Sequence, residues 1–346
     1  MKKWIILLLM IPAIVISASA EEFTAPAAPD QAQPYMPEET ESFAEGLWYI
    51  IKTAAADLMP SVSEAAGVCL SLIAVCILVS LLRNFQDISK HTVELVGTIA
   101  VGLLLFSSSK SLIHLGAQTV TEMSEYGKLL LPVLTGALAA QGGFTSSAAL
   151  YSGTALFNTL LSSIVANLIV PMIYIYLCLS VANSAFGEDV LKNLRNFLKW
   201  LMTWSLKIVL YVFTGYMSVT GVVSGTVDAS AMKATKLTIS GVVPVVGGII
   251  SDASEALLVS AGIVKNAVGV YGLLAMIALW IGPFLQIGMQ YLLLKITASV
   301  CGMFGSKGIT ELLHDFTGAM GMLLAMTGTV CVLHLISTIC FMKGIH

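Results

Sequence analysis

KLTISGVVPVVGGIISDASEALLVSAGIVKNAVG, residues 236–269, joins membrane-like apolar sequence to features that a membrane-crossing helix avoids. After its first residue, Lys236, the stretch contains one proline, two adjacent glycines and three charged residues, namely Pro244, Gly247, Gly248, Asp252, Glu255 and Lys265. An apolar run of about 10–14 residues is too short to cross hydrocarbon, and broken backbone is tolerated at membrane depth only where protein or a water-filled cavity satisfies its polar groups. We therefore predict a re-entrant or interfacial element inside a membrane protein.

An earlier segment repeats this pattern at an offset of 112 residues. PVLTG, from Pro132 to Gly136, corresponds to PVVGG at 244–248, and the tetrapeptide LRNF at 82–85 recurs at 194–197. These clustered matches predict an internal duplication, with coincidence in a Leu-, Val- and Gly-rich chain as the alternative. Each repeat unit then contributes one span, one dipping element and a second span.

Composition places the chain among polytopic helical membrane proteins. Of its 346 residues 57% are hydrophobic and only 11% are charged, and the mean hydropathy is +0.90. A soluble protein of this length needs more charge to cover its surface. The chain has no Lys- and Arg-rich patch interleaved with aromatic residues, so nucleic acid is not an expected partner.

No sequence motif for catalysis, a cofactor or a metal is present. The chain lacks HExxH, GxSxG and the phosphate-binding GxxxxGK[ST]. Its six cysteines lie in or beside apolar runs without CxxC spacing, which is typical of small packing residues. We therefore predict neither an enzyme nor a cofactor site.

The N-terminal residues combine a secretory signal with an acidic segment. Residues 1–20 contain Lys2-Lys3, a short apolar run and Ala18-Ser19-Ala20, which together predict a cleavable signal peptide, with an uncleaved anchor as the alternative. Residues 21–61 are then extracytoplasmic. Their acidic, proline-containing first part predicts a solvated, poorly ordered chain, and 41–59 predicts an amphipathic surface helix.

The remaining residues predict two membrane halves, 62–193 and 194–346, with about six spans and two re-entrant elements. The predicted spans are 63–82, 92–110, 148–182, 200–227, 266–294 and 316–342. Residues 129–187 carry no charge and are too long for one crossing, so we expect the chain to turn back at 141–147, with Pro171 as a later kink.

Basic residues orient these spans only in part. Arg83, an interfacial helix at 187–199 and a loop at 295–315 are predicted to lie in the cytoplasm. The two LRNF segments then share one side and the repeats are parallel. If the dipping elements cross the membrane instead, the repeats are inverted. A weaker third match, LLHDF at 312–316, precedes the last span.

Polar groups in the central stretch are the best candidates for a functional site. Asp252, Glu255, Lys265 and Asn266 lie within or beside apolar sequence, where such groups usually face a bundle interior or an aqueous pathway. We predict that they line or gate a pathway, together with the proline and glycine residues of the two dipping elements. The alternative is an outer-surface helix whose charges meet water.

VPVVGGIISDASEALLVSAGIVKNAVGVYG, residues 243–272, preceded by Asp228-Ala229-Ser230 and Lys233, resembles the stage III sporulation protein AE family. The resemblance implies a multi-pass protein of endospore-forming bacteria in the mother-cell membrane around the forespore. It implies partners from the same operon, including an ATPase and ring-forming proteins, and a forespore partner protein. It supplies no catalytic residues.

Three hypotheses follow from this resemblance and from the polar residues. The protein is the membrane core of a channel or secretion-like complex, or a non-conducting platform that recruits ring-forming partners, or a stand-alone secondary transporter. Membrane lipid is an expected neighbour, and homo-oligomerisation stays open.

Overall fold

The computed structural model describes residues 24–38, 42–83, 89–187, 189–242, 247–304 and 307–343, with the side chains of 90, 189, 221–262 and 264 left aside. Within these ranges the regular structure is entirely helical. The helices are α1 (Phe43–Ala56), α2 (Met59–Leu82), α3 (Lys90–Ala140), α4 (Phe144–Ile164), α5 (Val170–Phe186), α6 (Asp189–Val242), α7 (Gly247–Met303) and α8 (Lys307–Lys343). A π-helical turn, Val165–Ile169, joins α4 to α5.

Six stretches of helix in the described chain are long and apolar enough to cross a membrane. They are Met59–Leu82, His91–Ala140, Phe144–Phe186, Val190–Thr220, Lys265–Met303 and Lys307–Lys343. The predicted all-α class with about six spans is therefore confirmed. The proposed duplication and the orientation of its repeats stay predictions.

The structure corrects the prediction for the first dipping element. α3 runs without interruption for 51 residues, and Pro132 lies inside it. Its length is about 77 Å, far more than the roughly 30 Å of a hydrocarbon core. The prediction of a separate, short dipping element that contains Pro132 and Gly136 is wrong, because this exposed proline removes one backbone donor without ending the helix. The polar stretch 111–128 is part of the same helix.

The chain does turn back where the glycines of the 141–147 segment predict. α3 ends at Ala140, and Gly142 adopts a φ of 90°, a conformation that side chains with a Cβ rarely take. The amide of Gly143 donates to the carbonyl of Leu138 at 3.1 Å and closes the turn. α4 then returns antiparallel to α3.

The predicted kink at Pro171 coincides with a local change of helix type. Pro171 follows the π-helical turn and has no amide hydrogen to continue the regular ladder. A π-turn places one extra residue in the helix and is a common way to absorb such a lost bond. α4 and α5 therefore continue as one long, irregular rod.

No separate interfacial helix is present at 187–199. Gly187, with a φ of 71°, ends α5, and α6 then continues from Asp189 to Val242. Arg195, predicted to lie on a polar surface, is 6% exposed. The prediction of a separate helix is wrong, and Arg195 is buried because its face of α6 packs against α5 and α8, whereas the apolar face with Val190 and Phe197 is exposed.

The ends of several helices meet at one end of the bundle. Ser80 near the end of α2 donates to the carbonyl of Phe304 at 3.2 Å, and Cys76 lies beside the carbonyl of Cys301. A Cβ on Gly308, at the start of α8, would lie 3.0 Å from the carbonyl oxygen of Ser184. The segments that the sequence predicts to be cytoplasmic are thus gathered together.

The acidic N-terminal segment is packed rather than free. Ala28 is 6% exposed and Ala32 is fully buried, so the prediction of a solvated, poorly ordered chain is wrong for 24–38. We call these residues the N-terminal strap. Its backbone at Pro26 accepts from the Tyr126 hydroxyl of α3 at 3.3 Å, and the Ala28 amide donates to the Tyr271 hydroxyl of α7 at 3.2 Å.

α1 is the amphipathic helix that the sequence predicts. Ser42 caps its first turn by accepting from the Glu45 amide at 3.3 Å. Ile50 is fully buried whereas Trp48 is 69% exposed, as expected for a helix with one apolar face on the core.

Candidate functional site

The predicted pathway residues fall into three groups. Pro132 and Gly136 lie in the continuous helix α3. Gly247 and Gly248 begin α7, which also carries the backbone of Asp252 and Glu255, whereas Pro244 and these two carboxylate side chains lie outside the described residues. The remaining two, Lys265 and Asn266, are described in full.

Lys265 and Asn266 are neighbours on α7 with opposite surroundings. Lys265 is 3% exposed, whereas Asn266 is exposed. Within the described part of the chain the Lys265 ammonium takes part in no ion pair. A buried, unpaired charge is costly to keep in a fold, so Lys265 has the stronger functional signal of these two residues.

A close contact joins α3 near Pro132 to α7 beyond Lys265. A Cβ on Gly272 of α7 would lie 2.6 Å from the Leu130 side chain of α3. Leu130 lies two residues before Pro132, and Gly272 lies seven residues after Lys265. The structure therefore brings the neighbourhoods of the predicted residues together, although Pro132 itself is exposed.

The sequence analysis missed a buried ionic network between α5, α6 and α8. Arg195 is ion-paired with Asp315, and its second guanidinium nitrogen lies 3.2 Å from the Glu311 carboxylate. The Tyr176 hydroxyl donates to Asp315 and the Asn183 amide donates to Glu311, both at 3.4 Å. We call these five residues the Arg195 network.

A sequence signal for this network was present but was interpreted differently. Arg195 belongs to the repeated LRNF and Asp315 to its weak third match LLHDF. Glu311 and Asp315 are four residues apart and therefore lie on one face of α8. Arg195 was assigned to a solvated surface, since a sequence alone does not show that a cation and two carboxylates 116 and 120 residues apart meet.

A second buried polar cluster connects α3, α4 and α8. The Thr154 and Ser337 hydroxyls are 2.7 Å apart, and the Asn158 amide donates to the Ser124 carbonyl at 3.1 Å. His334 is 3% exposed and packs on Gly127, where a Cβ would lie 2.3 Å from the ring. His334 is thus a packed residue of the bundle interior.

The described residues contain no group of three or more His, Cys, Asp or Glu side chains that could hold a metal ion. The six cysteines are free, and four of them are buried. The described chain thus places ion-paired charges, the buried Lys265 and neutral polar groups between apolar helices.

A family model described as stage III sporulation protein AE matches residues 37–344, nearly the whole chain. The chain belongs to this family. The resemblance carried by residues 243–272 is thereby confirmed. Membership in this family implies a role in sporulation among the stage III sporulation proteins, and this family is not a known enzyme family.

A curated relative agrees with this family. Stage III sporulation protein AE of Bacillus subtilis (strain 168) is 22% identical over 274 residues, which cover 78% of the chain and 68% of the relative. No solved structure matches the chain.

Proposed function

We propose that this AE-family protein is a membrane core component of a channel or secretion-like complex that links the mother cell and the forespore and is needed for late forespore development. Its proposed partners are the ATPase and ring-forming proteins of the same operon and a forespore partner protein. Its proposed location is the mother-cell membrane around the forespore.

The burial of Lys265 carries this proposal. A cation that is 3% exposed and has no ion-pair partner among the described residues weakens the fold. Methionine at this position has a similar length and no charge to desolvate. Retention of the lysine is therefore best explained by an interaction with something that passes or docks beside α7.

The Arg195 network supports the same proposal from another side. It joins α5, α6 and α8 through charges that are held inside the bundle rather than in water. A conduit wall must keep fixed positions while polar groups face its interior, and buried ion pairs between helices supply such fixed points. We assign to the network the role of a rigid frame.

An exposed aromatic row favours the platform as a second candidate. Phe197, Trp200 and Trp204 follow one another on α6 with ring centroids 6.0 and 6.2 Å apart, and all three are exposed. Aromatic residues of this kind suit either a lipid headgroup region or a partner protein. A platform depends on such outward contacts and not on Lys265.

Spore counts of substituted strains separate the two candidates. Lys265→Met tests the conduit, and Lys110→Met, which removes an exposed lysine from α3, is its matched control. Lys192→Glu combined with Lys307→Glu reverses two exposed charges in the segments that a platform would use. Each strain is scored for heat-resistant spores and for the protein in the membrane fraction.

The conduit predicts that Lys265→Met loses spores while the protein accumulates, and that the other strains sporulate. The platform predicts the reverse, with loss of spores in the double charge reversal alone. A stand-alone transporter predicts solute uptake by vesicles that contain only this protein.

A further inference from the structure

A polar cleft opens between α2, α3 and α7, within the stretches of helix that are apolar enough to cross a membrane. It encloses about 740 Å³, a volume typical of small-molecule sites. Its polar lining includes Glu64, Ser71, Ser107, Ser111, Gln286 and Gln290. None of these residues belongs to the pathway predicted from the sequence or to the Arg195 network.

Each of the three helices contributes a polar face to this cleft. Ser107 and Ser111 are four residues apart on α3, and Gln286 and Gln290 are four apart on α7, so each pair shares one side of its helix. Glu64 lies two turns before Ser71 and is the only charged residue in α2. Three separate helices thus place hydroxyl, amide and carboxylate groups around one space.

Gln290 shows that the cleft is a built site and not a gap between apolar helices. The residue is 4% exposed and lines the cleft. Its amide makes no hydrogen bond to another described residue, and the amide atoms reach the open space of the cleft. Water or a polar solute in the cleft therefore supplies the hydrogen bonds of this amide.

The charge of the lining selects the kind of occupant. Glu64 contributes one negative charge, and no basic side chain of the described residues lines the cleft. An anion would face this carboxylate without a counter-charge. Divalent metal ions generally require several carboxylate ligands, whereas this lining has one. A single positive charge is therefore the best match.

The neutral polar groups of the cleft indicate which kind of singly charged cation fits it. A primary ammonium group has three N–H donors and no acceptor, and the serine hydroxyls and glutamine carbonyls of the cleft can accept from them beside the Glu64 carboxylate. We propose that this cleft binds a primary amine with one positive charge, either as a free small molecule or as the headgroup of an aminophospholipid.

The test measures binding of radiolabelled ethanolamine to the purified chain in phosphatidylcholine nanodiscs. Glu64→Gln removes the carboxylate, and Gln290→Leu removes the buried amide. Glu125→Gln is the matched control because Glu125 is an exposed carboxylate on α3 that does not line the cleft. Gel filtration first shows that each variant is monodisperse, and binding is measured without partner proteins, so the result is independent of the proposed conduit.

We expect saturable binding of ethanolamine to the unmodified protein. Glu64→Gln should weaken this binding by about tenfold or more, as expected for the loss of a charge-assisted hydrogen bond. Glu125→Gln should leave the binding unchanged. If phosphatidylethanolamine in the nanodiscs abolishes ethanolamine binding, the lipid headgroup is the source of the amine; if it does not, the free molecule is. Absence of saturable binding to the unmodified protein overturns the proposal. Equal binding by the unmodified protein and Glu64→Gln overturns it as well, and Gln290→Leu repeats this test at a second position.

Discussion

Arg195 on α6 and Asp315 on α8, 120 residues apart in the chain, form a buried ion pair. The two residues are 6% and 9% exposed, and Tyr176 and Glu311 add further hydrogen bonds to the pair. Charges held this far from water are stable only while both partners are present. The pair therefore ties α6 to α8 and makes each partner dependent on the other.

Removal of one partner of this pair is expected to destabilise the protein strongly. Arg195→Met leaves the Asp315 carboxylate buried without its cation, which costs roughly 3–5 kcal/mol. Asp315→Asn added to Arg195→Met removes the uncompensated charge and should recover part of that loss. The measurement is thermal unfolding in detergent, with Lys192→Met, an exposed change on the same helix, as the control. Equal melting temperatures for Arg195→Met and the control contradict a stabilising ion pair.

Two glycines of α7 provide a matched test of the packing between α3 and α7. A Cβ on Gly272 would lie 2.6 Å from Leu130, whereas a Cβ on Gly288 meets only Leu324, at 3.9 Å. Gly272→Ala should destabilise the protein by about 1–3 kcal/mol through overpacking. Gly288→Ala should be neutral or stabilising by up to about 1 kcal/mol, since alanine favours a helix. Leu130→Ala combined with Gly272→Ala should remove the clash, and unfolding curves that rank the two glycine variants in the opposite order refute the contact.

The contact between Tyr35 of the N-terminal strap and Asp57 at the end of α1 predicts a pH dependence. The Tyr35 hydroxyl donates to Asp57 at 2.9 Å, and burial, together with this carboxylate, raises the pKa of Tyr35 to about 12 from its ordinary value near 10. Because the pKa is raised in the folded protein, the contribution of protonated Tyr35 to stability is fully present below pH 10. This contribution is lost between pH 10 and about pH 12.

Tyr35→Phe should therefore lower the melting temperature at neutral pH, by an amount that corresponds to the loss of about one hydrogen bond. The difference in melting temperature from the unmodified protein should shrink above pH 10. Tyr49→Phe, at an exposed position of α1, should show neither effect. If the difference in melting temperature between Tyr35→Phe and the unmodified protein is constant across this pH range, the pKa of Tyr35 is not raised by its surroundings.

The sequence predicted the class of the fold because apolar length and charge are local properties of the chain. The turn at 141–143 and the helix at Phe43–Ala56 were also predictable, since glycine φ and amphipathic spacing act over a few residues. The continuity of α3 could not be predicted from the sequence, because whether Pro132 breaks a helix depends on what packs around it.

Long-range contacts explain why the candidate sites were found only in part. The amide and hydroxyl groups of the cleft lie on three helices, and each looks like an ordinary polar residue of a span when taken alone. The packing of 24–38 was missed because an acidic, proline-containing composition describes a free chain, whereas tyrosines from α3 and α7 supply its backbone with partners. Lys265 was recognised, since a lysine within a long apolar stretch stands out at once.

The central claim, a conduit whose function needs Lys265, is tested most directly by late forespore gene expression in sporulating cells. A fluorescent reporter under a late forespore promoter is compared between cells with the unmodified protein, Lys265→Met and Lys110→Met, after immunoblots show equal protein in the membrane fraction. The account predicts a silent reporter in Lys265→Met alone. Full reporter activity in Lys265→Met at normal protein levels contradicts it.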